Sequence, residues 1–147
     1  MTIDRSFIER NRASTDRIRA MTRLTDQELL TPVGEHWTVA IVLAHLSLWD
    51  RRVLFVLERS LPEGKLVTHE ADIYINDYAL PLLAAIPPRE ALRLAVESAE
   101  QLDRCLEECP PELLQEISTR FKRWVERSLH RNEHLDEADA ALKKEKG

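Results

Sequence analysis

The sequence predicts an all-α fold, a four-helix bundle with a long crossover connection between helices 2 and 3. Three observations carry that prediction. Only 3 of the 147 residues are glycine, fewer than the turns of a sheet protein this long would want. Apolar residues recur at three- and four-residue steps over long stretches, and no alternating strand pattern of useful length interrupts them. The length also suits one domain, since single domains cluster at about 100–150 residues and a chain this size buries roughly two-thirds of its unfolded surface. Residues 1–147 are therefore expected to form a single bundle domain, with 143–147 as a frayed charged tail.

The elements follow in order. A first helix is expected from about Asp4 to Met21, its thin apolar face made by Ile3, Phe7, Ile18 and Met21. Thr25-Asp26-Gln27-Glu28 has the form of a capping box and starts one short turn ending near Pro32. Residues 33–37 read as a loop. Thr38 is a good N-cap for the most apolar helix, Val39 to about Ser60, where Val42, Leu46, Trp49, Val53 and Val56 form one stripe; Pro62 and Gly64 end it. Across 65–87, Ala71, Tyr74, Ile75, Tyr78, Leu82 and Leu83 are spaced helically. Pro81 costs an interior helix about 3 kcal/mol, so a broken or kinked helical connection is expected. Pro87-Pro88 opens a third main helix to about Cys109, which Pro110-Pro111 stops. A fourth main helix is expected from near Ser118 or Thr119 to about Lys143.

Composition excludes several function classes. With 26 acidic and 21 basic residues the net charge is −5, which argues against a general nucleic-acid surface. The cluster Arg10, Arg12, Arg17, Arg19 and Arg23 is interleaved with acidic and polar residues and reads as a solvated helix face. The stretch from Trp37 to Trp49 falls short of the roughly 20 apolar residues a bilayer needs. No secretory signal is readable in MTIDRSFIER. Cys105 and Cys109, four apart on one helix face, read as small core residues of a reduced, cytoplasmic protein.

Five histidines occur: His36, His45, His69, His130 and His134. His45 lies three after Val42 and four before Trp49 on the second main helix, so it points toward the same interior as those residues. His130 and His134 are four apart, which projects both imidazoles from one helix face about 5–6 Å apart at Cβ. They flank the apolar stripe of Trp124, Ser128, Leu135 and Leu142, with Arg123, Glu126, Arg127 and Glu137 on their side. If the two helices are neighbours, three neutral imidazoles make an open divalent-metal site. His130 to His134 also spells HxxEH, the inverted zinc-peptidase motif, but the 13 residues after His134 are too few for that motif's distant third ligand. His36 and His69 fall in expected loops with no such constellation.

Leu24-Thr25-Asp26-Gln27-Glu28-Leu29-Leu30, then His36-Trp37-Thr38-Val39-Ala40, Val42-Leu43-Ala44-His45-Leu46 and Trp49-Asp50, resemble the N-terminal signature of the DinB-like superfamily. That group of four-helix metalloproteins includes the mycothiol-dependent maleylpyruvate isomerases and bacillithiol transferases. The pair His130 and His134 falls where the family carries its second and third ligands. The resemblance implies a divalent ion, zinc or nickel, on His45, His130 and His134, with a low-molecular-weight thiol such as mycothiol or bacillithiol as co-substrate. It also implies an Asn on the link between helices 2 and 3, for which Asn76 is the candidate.

The expected chemistry is a metal-activated thiol attacking a small-molecule electrophile. Glu126 and Glu133 are candidates to orient the imidazoles from behind. Neither cysteine is placed as the nucleophile. A metal-activated hydrolase is the enzymatic alternative, and a non-catalytic helical binding module with a vestigial site is the other. Ile41, Leu48, Leu54, Phe55 and Leu57 make the second main helix apolar nearly all round. It is therefore either central or covered by a partner, and a homodimer is expected. No nucleic-acid or membrane partner is expected.

Overall fold

The structure, a computed structural model, describes residues 3–70 and 74–147. The fold is all-α. α1 spans Phe7–Ala20, and a short α2 (Asp26–Leu29) follows. β1 (Pro32–Val33) and β2 (Trp37–Thr38) lead into α3 (Val39–Ser60). The crossover carries α4 (Ile75–Tyr78) and α5 (Leu80–Ala84). Then come α6 (Pro88–Glu108), α7 (Pro111–Arg120), α8 (Lys122–Val125) and α9 (Arg127–Lys146).

Local chemistry sets the starts of these elements. The Thr25 hydroxyl accepts from the Glu28 amide at 3.0 Å, while the Glu28 carboxylate takes the Thr25 amide at 2.9 Å, a complete capping box. Thr38 accepts from the Ile41 amide at 3.2 Å, a cap of the kind that contributes about 1 kcal/mol. It fixes where α3 begins, and hence where His45 falls on it.

α1, α3, α6 and α9 are the four long helices, and α3 packs on both α6 and α9 while α1 closes the other side against the same two. Cross-helix contacts give the directions. Ser47 meets Ser98 and Leu94 of α6 while Val56 and Leu57 share a core with Leu102 and Leu106, so α3 and α6 run parallel. His45 faces His130 and Asp50 faces Arg127, so α3 and α9 run antiparallel. Parallel neighbours cannot be joined by a tight turn, which is why residues 61–87 must cross back along the bundle.

Two local readings of the sequence are corrected, and the broken helical connection expected before Pro87 is found among the described residues. Residues 33–37 are pinned by an antiparallel pairing, Pro32 with Thr38 and Val33 with Trp37, and Gly34 takes the left-handed turn at φ +69°. In the crossover, the chain breaks at Ala79, which places Pro81 in the first turn of α5, where its missing amide costs nothing. Ala71, expected on that helical face, lies outside the described residues. The fourth main helix does not run unbroken from Ser118: it breaks at Phe121 (φ −144°, ψ 74°) and Glu126 (φ −84°, ψ 72°). The second break is bridged by the Asn11 side chain, whose amide donates to the Val125 carbonyl at 2.8 Å and accepts from the Ser128 amide at 3.0 Å. Beyond it, α9 extends to Lys146.

Among the described residues the interior is filled mainly by the two larger of three apolar clusters. One gathers Ile18, Val42, Leu46, Leu92 and Leu135; the other gathers Phe7, Val53, Leu57, Leu106 and Ile117. Between their levels on the four long helices lies a buried polar belt: Asn11, Ser14 and Thr15 from α1, Asp50 from α3, Asp103 from α6, and Arg127 and Arg131 from α9. The arginines of α1 do not simply face water. Arg10 pairs with Glu126, Arg12 with Glu107 and Arg19 with Glu100, tying α1 to its neighbours.

α3 is central. Ile41 and Leu57 are buried, and Leu48 packs against α4 and α5, so this chain itself supplies much of the cover a partner was expected to give. Phe55 remains exposed at 52%. Among the described residues no helix is long and apolar enough to cross a membrane.

Candidate metal centre

His45 stands on the second turn of α3, facing α9. Because α3 and α9 are neighbours, the i, i+4 pair of α9 meets it. Ring centroids lie 5.2 Å apart for His45 and His130, 4.5 Å for His45 and His134, and 4.9 Å for His130 and His134. One ring nitrogen from each lies within 4.8 Å of the others. His45 Nε2 and His130 Nε2 are 3.3 Å apart. That separation matches the edge of a tetrahedron of metal–nitrogen bonds of about 2 Å. His45 is 2% exposed and the other two are half-buried, so the cluster is closed around His45 and meets solvent only at the rings of His130 and His134.

The three rings are neutral bases at pH 7. Burial pushes His45 down to about 3, helped by His134 and Arg127. Burial, with Arg127 beside it, pushes His130 down to about 2. His134 is lowered too, burial outweighing the opposite pull of Glu137 and Glu133. Neutral imidazole is the form that ligates a cation. Among the described residues the buried Nδ1 of His45 has no hydrogen-bond partner, and that of His134 makes no hydrogen bond but stands 3.3 Å from Glu137 Oε1, within ion-pair distance. Three neutral imidazoles, each with a ring nitrogen within 4.8 Å of the others, are the donor type and spacing a divalent cation takes. The donor set therefore fits a divalent cation.

Two indoles frame the cluster. Trp37, carried by β2, lies 4.7 Å from the His45 ring and 5.7 Å from His134, stacked on the latter at 29°. Trp49 meets His45 edge-on at 6.4 Å, and its Nε1 donates to Asn76 Oδ1 at 2.9 Å. Asn76 thus reaches the site through Trp49.

The carboxylates expected behind the rings are engaged elsewhere. Glu126 is held by Arg10 and accepts from Ser128, and Glu133 pairs with Arg123 at 2.8 Å. The group at the back of His134 is Glu137, 3.3 Å from Nδ1. Behind His130 stands Arg127, whose Nη2 lies 3.2 Å from Nδ1. His36 is exposed, far from burial, and His69 lines an outer groove.

Sequence reasoning missed the ion network beneath the cluster. Asp50 accepts from Arg127 Nε at 2.8 Å and from Arg131 Nε at 3.0 Å. Arg131 Nη1 reaches Asp103 at 2.9 Å, and Thr15 donates to the same carboxylate. All four charges are essentially inaccessible, and they balance. The signal was present in Asp50, a carboxylate four residues after Leu46 and three before Val53, within the apolar stripe; a charge there needs a buried partner.

A protein-family profile described as the mycothiol maleylpyruvate isomerase N-terminal domain matches residues 11–131, most of the chain. The chain belongs to this family. The match takes in His45 and His130 and ends three residues before His134. Neither a curated protein nor a solved structure matches the chain. As a mycothiol maleylpyruvate isomerase N-terminal domain, it carries the resemblance to DinB-like proteins seen in its sequence, and its three histidines form the cluster that could bind a metal ion.

Proposed function

We propose that this domain is a metal-dependent thiol S-transferase, with His45, His130 and His134 holding a divalent ion, zinc or nickel, and a low-molecular-weight thiol such as mycothiol or bacillithiol as co-substrate. The observation that carries the reading is the approach of three neutral imidazole nitrogens to within 4.8 Å of one another, with two of the rings partly exposed. A cation held there would favour the ionised form of a bound thiol, whose free pKa is about 8.5. The chain's own residues do the rest. Trp37 covers two of the rings and limits water; Glu137 stands where it can orient His134.

The nucleophile is an outside thiol because the chain's own are unsuited. Cys105 and Cys109 pack in the lower apolar cluster, away from the histidines. Burial raises both thiols, Cys109 to about 11, so neither ionises near neutral pH.

The test is turnover of a haloarene electrophile by metal-supplemented protein with a panel of small thiols. Thiol-dependent conjugation abolished by His134→Ala supports the transferase. Turnover indifferent to thiol indicates a hydrolase instead. A non-catalytic binding module is the second reading, favoured by the positive charge of Arg127 against His130, which opposes a cation. Little or no bound metal, with no turnover by any thiol, would favour it.

A further inference from the structure

Beside the histidine cluster, on the far side of Trp49, the surface opens into a cavity of about 800 Å³ between α3, the start of the crossover and the α7–α8 junction. That volume is in the range of small-molecule sites. Its floor is aromatic: Phe121 and Trp124 stack at 4.0 Å and 13°, an arrangement that the break at Phe121 makes possible. Arg52 projects from α3 between two indoles, its guanidinium 4.8 Å from the Trp124 ring and 5.8 Å from Trp49. Arg120 lies over Phe121 at 5.4 Å.

Arg52 is the feature that calls for a ligand. Among the described residues no carboxylate pairs with it; its one hydrogen bond is from Nη2 to the His69 carbonyl at 3.0 Å. Nearly every other arginine facing a neighbouring helix here has a carboxylate partner, as Arg10, Arg12, Arg17, Arg19 and Arg127 do. Arg52 is half-buried, and burial pulls its pKa below the usual guanidinium value. A guanidinium presents a planar fork of donors that matches a carboxylate, and the indoles on either side hold that fork in place.

We propose that this groove binds a flat organic monocarboxylate, with the carboxylate on Arg52 and an aryl-sized apolar body against Trp49, Phe121 and Trp124. Charge selects a monoanion. The lining carries Arg52 and Arg120 against Glu70, a net of about one positive charge, and Arg120 is also drawn to Glu116 at 3.7 Å, so no free cation is left for a second anionic group. The groove does not depend on the histidines holding an ion, since none of the three lines it. It shares Trp49 with their surroundings, so a ligand seated on Arg52 would lie next to the cluster.

The probe is 2-naphthoate, with 2-naphthylmethanol as its uncharged analogue, titrated by calorimetry into wild type, Arg52→Met, Arg52→Lys and His45→Ala. Circular dichroism confirms that each variant folds. The naphthoate should saturate, bind at least about tenfold more tightly than the alcohol, lose about tenfold or more in Arg52→Met, and keep part of its affinity in Arg52→Lys. His45→Ala should bind it as wild type does, which separates this site from the metal reading. Equal binding of the alcohol, undiminished binding by a folded Arg52→Met, or no saturation at millimolar naphthoate would overturn the proposal.

Discussion

Arg127 stands with Nη2 3.2 Å from Nδ1 of His130 while its Nε holds Asp50 at 2.8 Å. Arginine can only donate, so Nδ1 of His130 is the acceptor and the ring proton sits on Nε2, facing His45 Nε2 at 3.3 Å. His45 Nε2 is then bare and its own proton lies on the orphaned Nδ1. The buried ion network therefore sets the tautomers of two of the three clustered rings. For His130 Nε2 to serve as a ligand, its proton must leave and the Arg127 contact must loosen.

Replacing Arg127 by Gln should therefore tighten divalent-ion binding by about tenfold, or about 1.4 kcal/mol, since it removes a positive charge that opposes the cation. Arg127→Lys, which keeps the charge, should gain less. Competition with a chromophoric chelator reads this. Weaker binding by a folded Arg127→Gln would mean that Arg127 supports the site rather than opposing it.

The network should also dominate stability. Asp50→Ala leaves Arg127 and Arg131 facing each other without their shared carboxylate, in a belt where both are buried. Breaking a buried pair this way costs about 3–5 kcal/mol, measurable by urea denaturation. A loss under about 1 kcal/mol would show that the arginines find water or other partners.

Much of this fold is legible in the sequence, and the limits are physical. α3 and its cap, the capping box at Thr25 and the shared face of His130 and His134 follow from periodicity and short-range hydrogen bonding; that His45 meets that pair depends on the two helices being neighbours, which only the family resemblance implies. The breaks at Phe121 and Glu126 do not. Residues 118–143 keep helical periodicity, and the group that compensates the second break, Asn11, is more than a hundred residues away in sequence. Arg127 and Arg131 read as a charged flank because a charged pair is cheap only when its partners are known, and those partners come from other helices. The pairing of residues 32–33 with 37–38 is too short to leave a pattern.

Asn11 gives a direct check of that explanation. Asn11→Ala removes both bonds across the break and leaves a buried carbonyl and a buried amide unpaired, which should cost about 2–4 kcal/mol in denaturation. Asn11→Asp keeps the acceptor for Ser128 but loses the donor to Val125, and it too should destabilise. An unchanged midpoint for Asn11→Ala would contradict the bridging role.

Stability should fall on acidification through a specific window. His45 and His130 have folded pKa values of about 3 and about 2, below the model-peptide value of 6.5. Below about pH 6.5 the unfolded chain binds protons that the folded chain refuses, so stability declines by about 1.4 kcal/mol per pH unit for each such ring. The decline continues until the folded rings themselves titrate. Above about pH 6.5 these rings add no pH dependence. Denaturation of wild type and His45→Asn at a series of pH values reads the difference; the variant should lose less between pH 6.5 and 4.5, and identical slopes would contradict burial as neutral bases.

The central claim is that His45, His130 and His134 together hold one divalent ion. Elemental analysis of tag-free protein equilibrated with zinc or nickel, then desalted, tests it most directly, alongside His45→Ala and His134→Ala checked for folding by circular dichroism. Close to one equivalent in wild type and near none in either folded variant is the predicted result. Below about a tenth of an equivalent in wild type, or undiminished metal in both variants, would contradict it.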